Sequence, residues 1–151
     1  MIRLALAALL LSALPARAAE PLRIVGLQAR LFFHYTGTLS KPLDETTILH
    51  NVIIGEGGVP EPSRSLLATA IVEGKPGKYD ETWRVEFTAT DRETGKVMAR
   101  FAKDVGVLSE KGRYHVPFWL PETGCIALVI TAKLKGAREE TKRVVPFRCG
   151  E

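Results

Sequence analysis

Apolar and polar side chains alternate with a period of two residues in several separate segments of this 151-residue chain. The clearest case is the segment 83–90, in which Trp83, Val85, Phe87 and Ala89 alternate with polar residues. Because successive side chains of a strand point to opposite faces, this pattern indicates half-buried β-strands. After the first 18 residues, no segment has the apolar period of an amphipathic helix. The alternation therefore predicts an all-β protein.

Clusters of turn-forming residues divide the chain into about eight short strands, a number and spacing typical of a β-sandwich. The strands are expected at 22–36, 46–54, 65–72, 83–90, 96–105 and 113–120, and on both sides of residue 137. In the first strand, the predicted core face includes Phe33 and Tyr35. Pro117 cannot donate to a sheet ladder, so its strand is expected at an edge or beside a bulge.

The first 18 residues have the features of an export signal. Arg3 supplies a positive charge, residues 4–14 form an apolar core, and Ala16-Arg17-Ala18 has the small-residue pattern of a cleavage site. We therefore expect a signal peptide at 1–18, a single domain at 19–151, and a periplasmic or secreted protein. No other apolar run is long enough to cross a membrane, so the mature chain is expected to lack a transmembrane segment.

The two cysteines, Cys125 and Cys149, flank two apolar runs that meet at the turn-forming residues 135–138. In an exported protein a disulfide between them is expected to persist. Such a bridge would clamp the last strand and stabilise the domain by roughly 2–4 kcal/mol. The spacing lacks the Cys-x-x-Cys pattern of redox proteins, so a structural role is favoured.

The position of these cysteines also predicts how the last two strands pair. If Cys125 faces Cys149 across one hairpin, the numbers of facing residues sum to 274, and Lys133 faces Thr141. A bulge near Pro146 would shift this register by one residue and prevent the direct pairing of the cysteines.

The segment Gly112-Arg-Tyr-His-Val-Pro-Phe-Trp-Leu-Pro121 is followed by Gly124-Cys-Ile-Ala-Leu-Val-Ile-Thr-Ala132. It resembles the penultimate strands of immunoglobulin-like domains found in secreted bacterial proteins. With the last hairpin the resemblance covers residues 112–150 and implies an immunoglobulin-like antiparallel β-sandwich of about 7–9 strands. The disulfide of antibody domains joins non-adjacent strands, whereas both cysteines here flank one hairpin. Such domains serve as adhesion modules, chaperones, metal carriers and enzyme accessories, so the resemblance implies no particular activity.

The charge of the chain argues against nucleic-acid binding and indicates one candidate surface. The net charge of +4 includes Arg3 and Arg17, and without them 19 basic residues stand against 17 acidic residues. A basic hairpin tip, at which we expect salt-dependent contact with an acidic surface, consists of Lys133, Lys135, Arg138, Lys142 and Arg143. Glu139 and Glu140 interrupt the tip, which favours an envelope protein as the partner.

A second candidate surface is the segment 55–63, which contains too many glycines and prolines for a strand. It is expected to be an exposed loop. It lacks the Gly-x-x-x-x-Gly-Lys-Ser/Thr pattern of phosphate-binding loops, so a protein partner is favoured over a nucleotide. The candidate binding residues in and before this loop are His50, Asn51, Gly55, Glu56 and Gly57.

These features predict a non-catalytic exported binding module that uses no cofactor. The alternative is a small periplasmic protein that binds copper or zinc through His34, His50 and His115, which requires side chains from separate strands to converge within about 2.0–2.3 Å of the ion. Neither Gly-x-Ser-x-Gly nor His-Glu-x-x-His occurs in the sequence. An enzyme whose Ser, His and Asp residues, or two carboxylates, come together from separate strands is a further alternative.

Overall fold

The computed structural model describes residues 21–44, 49–50 and 61–148, with the backbone alone at 49, 50 and 148. These residues are all-β and contain no helix. The strands are β1 Arg23–Phe33, β2 Thr38–Leu39, β3 Leu49–His50, β4 Ser65–Glu73, β5 Arg84–Asp91, β6 Val97–Asp104, β7 Arg113–Leu120, β8 Leu128–Leu134, β9 Glu140–Val145 and β10 Phe147–Arg148.

Two four-stranded antiparallel sheets pack face to face as a β-sandwich. Their strand orders are β2-β1-β4-β7 and β6-β5-β8-β9, and β3 pairs in parallel with β10 as a separate two-stranded unit. The eight strands of the two sheets confirm the fold class and approximate strand number that the sequence predicts. β7 pairs with β4 alone in this sheet, which confirms the edge position expected of the strand with Pro117.

The core forms where the alternation predicts it. On β5, Val85, Phe87 and Ala89 are buried, and on β7, Phe118 and every second residue around it are buried. The rings of Phe87 and Phe118 stack across the two sheets with their centroids 5.1 Å apart. Burial of each such aromatic side chain contributes about 1.5–3 kcal/mol, so this face-to-face packing is the main source of the sandwich's stability.

The first strand is shorter than the sequence predicts. β1 ends at Phe33, and Tyr35 is 79% exposed rather than part of the core face. The chain turns here because Gly37 adopts a φ of 68° and its N–H donates to the carbonyl of Phe33 at 2.8 Å. This left-handed conformation is favourable only for glycine and ends the alternation before Tyr35.

The hairpin of β8 and β9 differs by one residue from the register predicted for facing cysteines. Facing residues sum to 273, so Lys133 faces Glu140 rather than Thr141. Pro146 separates β9 from β10, and Phe147 leaves the hairpin to pair with Leu49. This is the one-residue shift expected of a break at Pro146, because proline has no N–H for the ladder. The predicted register, in which facing residues sum to 274, is therefore wrong for the described part of this hairpin.

Cys125 lies half-buried between Gly124 and β8, outside any strand. Cys149 lies outside the described residues, so the disulfide stays a prediction. A bridge would join the segment before β8 to the segment after β10, not two facing positions of one ladder. Residues 1–18 and the expected cleavage site also lie outside the described part of the chain.

Candidate functional site

The structure places the five residues of the predicted basic hairpin tip in different surroundings. Lys133, on β8, faces Glu86 on β5 and Glu140 on β9. The Nζ of Lys142 forms an ion pair of 2.7 Å with Oε1 of Glu140. Both cations therefore have acidic neighbours on the outer face of the sheet, which weakens the attraction that they exert on an external anion.

Arg143 is not on the surface of the hairpin tip. It faces Ile130, a fully buried residue of β8, and its side chain is therefore on the core side of β9. Its guanidinium donates to the backbone carbonyl of Leu43, a residue that packs against the core. Arg143 thus connects β9 to the segment after β2, and its role is structural.

Lys135 and Arg138, like Lys142, are exposed to solvent, but they lack the ion pair that Lys142 forms. They follow β8 in the turn, in which Gly136 has a φ of 79° and Ala137 N–H donates to the carbonyl of Leu134 at 2.9 Å. No carboxylate of the described residues forms an ion pair with either of them. The positively charged surface at the tip is therefore smaller than the sequence predicts.

A shallow depression with both polar and apolar lining residues lies beside these two cations at the same end of the sandwich. It consists of two adjoining cavities of about 130 and 200 Å³. We call this depression the end groove. Its apolar floor consists of Leu22, Leu134 and Ala137, which line both cavities, together with Ile24 in one cavity and Trp83 in the other. Sequence reasoning did not identify these residues as a site, because β1, β5 and β8 meet here only in the folded chain.

The charges around the end groove are mixed. Arg23, Arg84 and Lys135 line it, against Glu139 and Glu140. Apolar floors with a few charged groups at the margin are typical of sites that bind a side chain or a small ligand.

Asp104 determines which of these cations is available. Nε of Arg84 donates to Oδ1 of Asp104 at 2.7 Å. This hydrogen bond raises the pKa of Arg84 and lowers the pKa of Asp104, and the nearby charge of Lys135 lowers the latter further. Arg84 is thus held by Asp104, and Arg23 and Lys135 are the lining cations without an ion pair among the described residues.

The histidines predicted as alternative metal ligands do not come together. Nε2 of His34 is 2.8 Å from Oγ of Ser65, the first residue of β4, whereas His115 on β7 faces Ile71. Ile71 lies six positions after Ser65 along β4, a distance of about 20 Å, so His34 and His115 cannot bind the same ion. The side chain of His50 lies outside the described residues. Among the described His, Cys, Asp and Glu residues, no group of three is arranged to hold a metal ion.

His34 and Ser65 form the arrangement closest to a catalytic pair, but its hydrogen bonds run in the wrong direction. Ser65 is 1% exposed, and its hydroxyl donates to the carbonyl of Pro121 at 2.7 Å. A serine hydroxyl has a single proton, so Nε2 of His34 must be the donor toward Ser65. A nucleophilic serine instead gives its proton to an acceptor nitrogen of histidine. The pair holds β1, β4 and the segment after β7 together.

The described part of the predicted exposed loop is buried rather than exposed. Glu61 is 7% and Ser63 1% exposed. Glu61 accepts from the N–H of Tyr35 at 3.0 Å and from the hydroxyl of Thr36 at 2.5 Å, and Ser63 donates to the carbonyl of Phe32 at 2.5 Å. The expectation of exposure is wrong at these positions, because the segment attaches to the end of β1. The candidate residues Asn51, Gly55, Glu56 and Gly57 lie outside the described residues.

One end of the sandwich, which we call the serine end, contains Glu61, Ser63, Ser65, His34 and Thr123. Thr123 is also buried, and both its N–H and its hydroxyl donate to the carbonyl of Arg64. The opposite end of the sandwich, with the hairpin tip and the end groove, is the tip end.

None of the described residues forms a helix with the length and apolarity needed to cross a membrane. Comparison of the chain with protein-family models and with curated proteins gives no match. Function therefore has to be inferred from the surfaces described above.

Proposed function

We propose that this protein is a non-catalytic binding module, exported to the periplasm or secreted, that holds an acidic segment of an envelope protein at its tip end. The observation that carries the proposal is the end groove, because its apolar floor lies directly beside the exposed cations Lys135 and Arg138. An apolar side chain of the partner would occupy the groove, and an adjacent carboxylate would contact Lys135. We include in the proposal an immunoglobulin-like relationship of the sandwich, which the resemblance of residues 112–150 supports.

The floor of the groove supports apolar recognition. Trp83 and Leu134 are half-buried, so each retains apolar surface that a partner can cover. Removal of apolar surface from water contributes about 25 cal/mol per Å², and the charges at the margin add orientation and salt dependence. A small apolar area with few charges is typical of transient contacts.

The metal-carrier function finds less support. Its ligands would have to include His34 and His115. His34 contacts the start of β4 at Ser65, whereas His115 faces Ile71 further along β4, so the two histidines are about 20 Å apart along the sheet. His34 is moreover engaged with Ser65.

The test is retention of proteins from an envelope extract by immobilised variants. In the tip variant, Lys135→Glu and Arg138→Glu are combined. The matched control combines Arg92→Glu and Lys96→Glu, which are exposed cations at the opposite end of the sandwich. We expect the wild type and the control to retain the same protein and release it with rising salt, whereas the tip variant does not retain it.

The groove is tested separately by Ala137→Trp, which fills it without altering charge. We expect this change to weaken retention of the same protein, with unchanged resistance to urea. Equal retention by the tip variant and the wild type, or a wild type that retains nothing, would contradict the proposed function.

A further inference from the structure

The two sheets have four edge strands among the described residues, and three of them are protected against pairing with another chain. β2 has two residues, β7 has Pro117 near its middle, and β9 ends before Pro146 and contacts β1. Short edge strands, prolines and covering elements are the usual means by which proteins prevent strand addition. The fourth edge, β6, is neither short nor covered and contains no proline, although it has a one-residue bulge at Met98 and three charged side chains.

β6 is an open edge of eight residues, Val97–Asp104, that pairs with β5 on one side alone. Almost every residue along it is exposed on both faces. It also presents three large apolar side chains to solvent, because Val97, Met98 and Phe101 are 38%, 43% and 42% exposed. Its outward-facing backbone N–H and C=O groups are therefore accessible to another strand.

This edge is held in place by the core. Phe101 faces Phe87 on β5 and stacks on Phe118 of β7 with ring planes 9° apart and centroids 5.7 Å apart. Phe101 thus connects the two sheets at their open side. A rigid strand loses little conformational entropy when it pairs with another one.

We propose that β6 pairs with β6 of a second copy of this chain, antiparallel, about a two-fold axis at Ala102. A two-fold axis makes the same surface complementary to itself, which is the commonest symmetry of protein dimers. The pairing would extend the sheet β6-β5-β8-β9 into a continuous sheet of both copies. It meets the tip end at Asp104, which pairs with Arg84 of the end groove, and does not depend on the proposed function.

The charges of β6 and its bulge favour this register, because an axis at Ala99, which brings no like charges together, would place the bulge between Val97 and Ala99 inside the new ladder. With the axis at Ala102, facing residues sum to 204, so Arg100 faces Asp104 of the second copy and the contact occurs twice. An axis at Arg100, Lys103 or Asp104 would place like charges opposite each other, which is destabilising. An axis at Phe101 would leave Arg100 opposite Ala102. Arg100 and Asp104 lie on the same face of the strand, as direct cross-strand partners must.

Asp104 has the capacity for this second contact. It binds Arg84 through Oδ1, and its side chain is 62% exposed. A carboxylate accepts several hydrogen bonds through its two oxygens, so Oδ2 can accept from Arg100 of the second copy. On the other face, Phe101 would lie opposite Lys103 of the second copy, an arrangement that favours contact between a cation and an aromatic ring.

The association is measured by sedimentation equilibrium of the mature protein over a range of concentrations. We expect a monomer–dimer equilibrium that Arg100→Glu weakens about tenfold or more, because Arg100 meets Asp104 at both ends of the interface. Arg138→Glu, a reversal of an exposed cation outside β6, is the control and should leave the equilibrium unchanged. Circular dichroism checks that both variants are folded.

The register is measured by crosslinking with a short bis-maleimide. Ala102→Cys places two thiols on the axis, about 5 Å apart, and should give a covalent dimer. Met98→Cys, at the exposed start of β6, places its two thiols about 26 Å apart and should not. A protein that stays monomeric at all concentrations, a dimer insensitive to Arg100→Glu, or equal crosslinking of the two cysteine variants would overturn the proposal. Such results would instead be consistent with a monomer whose β6 pairs with a strand of an unrelated protein.

Discussion

The two ends of the sandwich use polar residues in opposite ways. At the serine end, Glu61, Ser63 and Ser65 are buried and bonded to the chain itself. At the tip end, Lys135 and Arg138 are exposed and have no ion pair among the described residues. The buried polar groups of the serine end thus stabilise the fold, whereas the tip end leaves cations exposed to solvent. The predictions below test this contrast in order of decreasing effect.

The largest effect concerns the backbone at the base of the tip end. Gly112 has a φ of 71°, and a Cβ there would lie 2.3 Å from the carbonyl oxygen of Gly74. We expect Gly112→Ala to lower the free energy of unfolding by about 3 kcal/mol, from backbone strain and steric overlap together. Urea unfolding measures the loss.

Gly37 at the serine end is the matched control for this change. Its φ of 68° is similar, but no atom lies within 4 Å of the added Cβ. Gly37→Ala should therefore cost about 1 kcal/mol, from the conformation alone. Equal losses at Gly112 and Gly37 would show that the contact with Gly74 has no energetic importance.

The second prediction concerns the carboxylate at the serine end. Glu61→Ala removes the acceptor of the Tyr35 N–H and the Thr36 hydroxyl, and we expect a loss of about 1–2 kcal/mol in the free energy of unfolding. Glu139→Ala, at the exposed tip end, should change stability by about 0.5 kcal/mol or less. Thermal and urea unfolding of the two variants compare the ends directly. A larger loss at Glu139 than at Glu61 would reverse the contrast between them.

The smallest effect is the response to acid, which both ends should share. The pKa of Asp91, near the serine end, is lowered by hydrogen bonds from Thr94 and the N–H of Glu93, and that of Asp104, near the tip end, by the hydrogen bond from Arg84. Each carboxylate therefore contributes stability that is complete above its ordinary value of 3.8 and is lost as the pH falls through the lower pKa of the folded state.

Unfolding measured from pH 7 to pH 2 checks this response. Asp91→Asn and Asp104→Asn should each make the decline below pH 3.8 shallower and leave its direction unchanged. Asp91 is partly and Asp104 largely exposed to solvent, which screens their interactions, so the two changes are expected to be small. A steeper decline in either variant would show that its aspartate is not stabilised in the folded state.

Local sequence patterns were sufficient to predict the fold but not the candidate functional site. Alternation around Phe87 and Phe118 correctly predicted buried strands, and Pro117 predicted an edge, because both depend on the chemistry of one strand. Glu61 and Ser63 were predicted to be exposed because their neighbours are glycine and proline. Their burial depends on Phe32 and Tyr35, which lie far away in sequence. The end groove combines Leu22, Trp83 and Leu134 in the same way, so no local pattern could have indicated it.

Side-chain periodicity and the missing N–H of proline act within a single strand, so they are enough to predict an all-β chain, its main strands and its edge proline. The folded chain sets the one-residue register of the last hairpin and the inward position of Arg143. It also decides which cations face solvent and which edge strand is left open. These features depend on contacts between segments distant in sequence, where the energy of packing and hydrogen bonding outweighs the preference of any one segment.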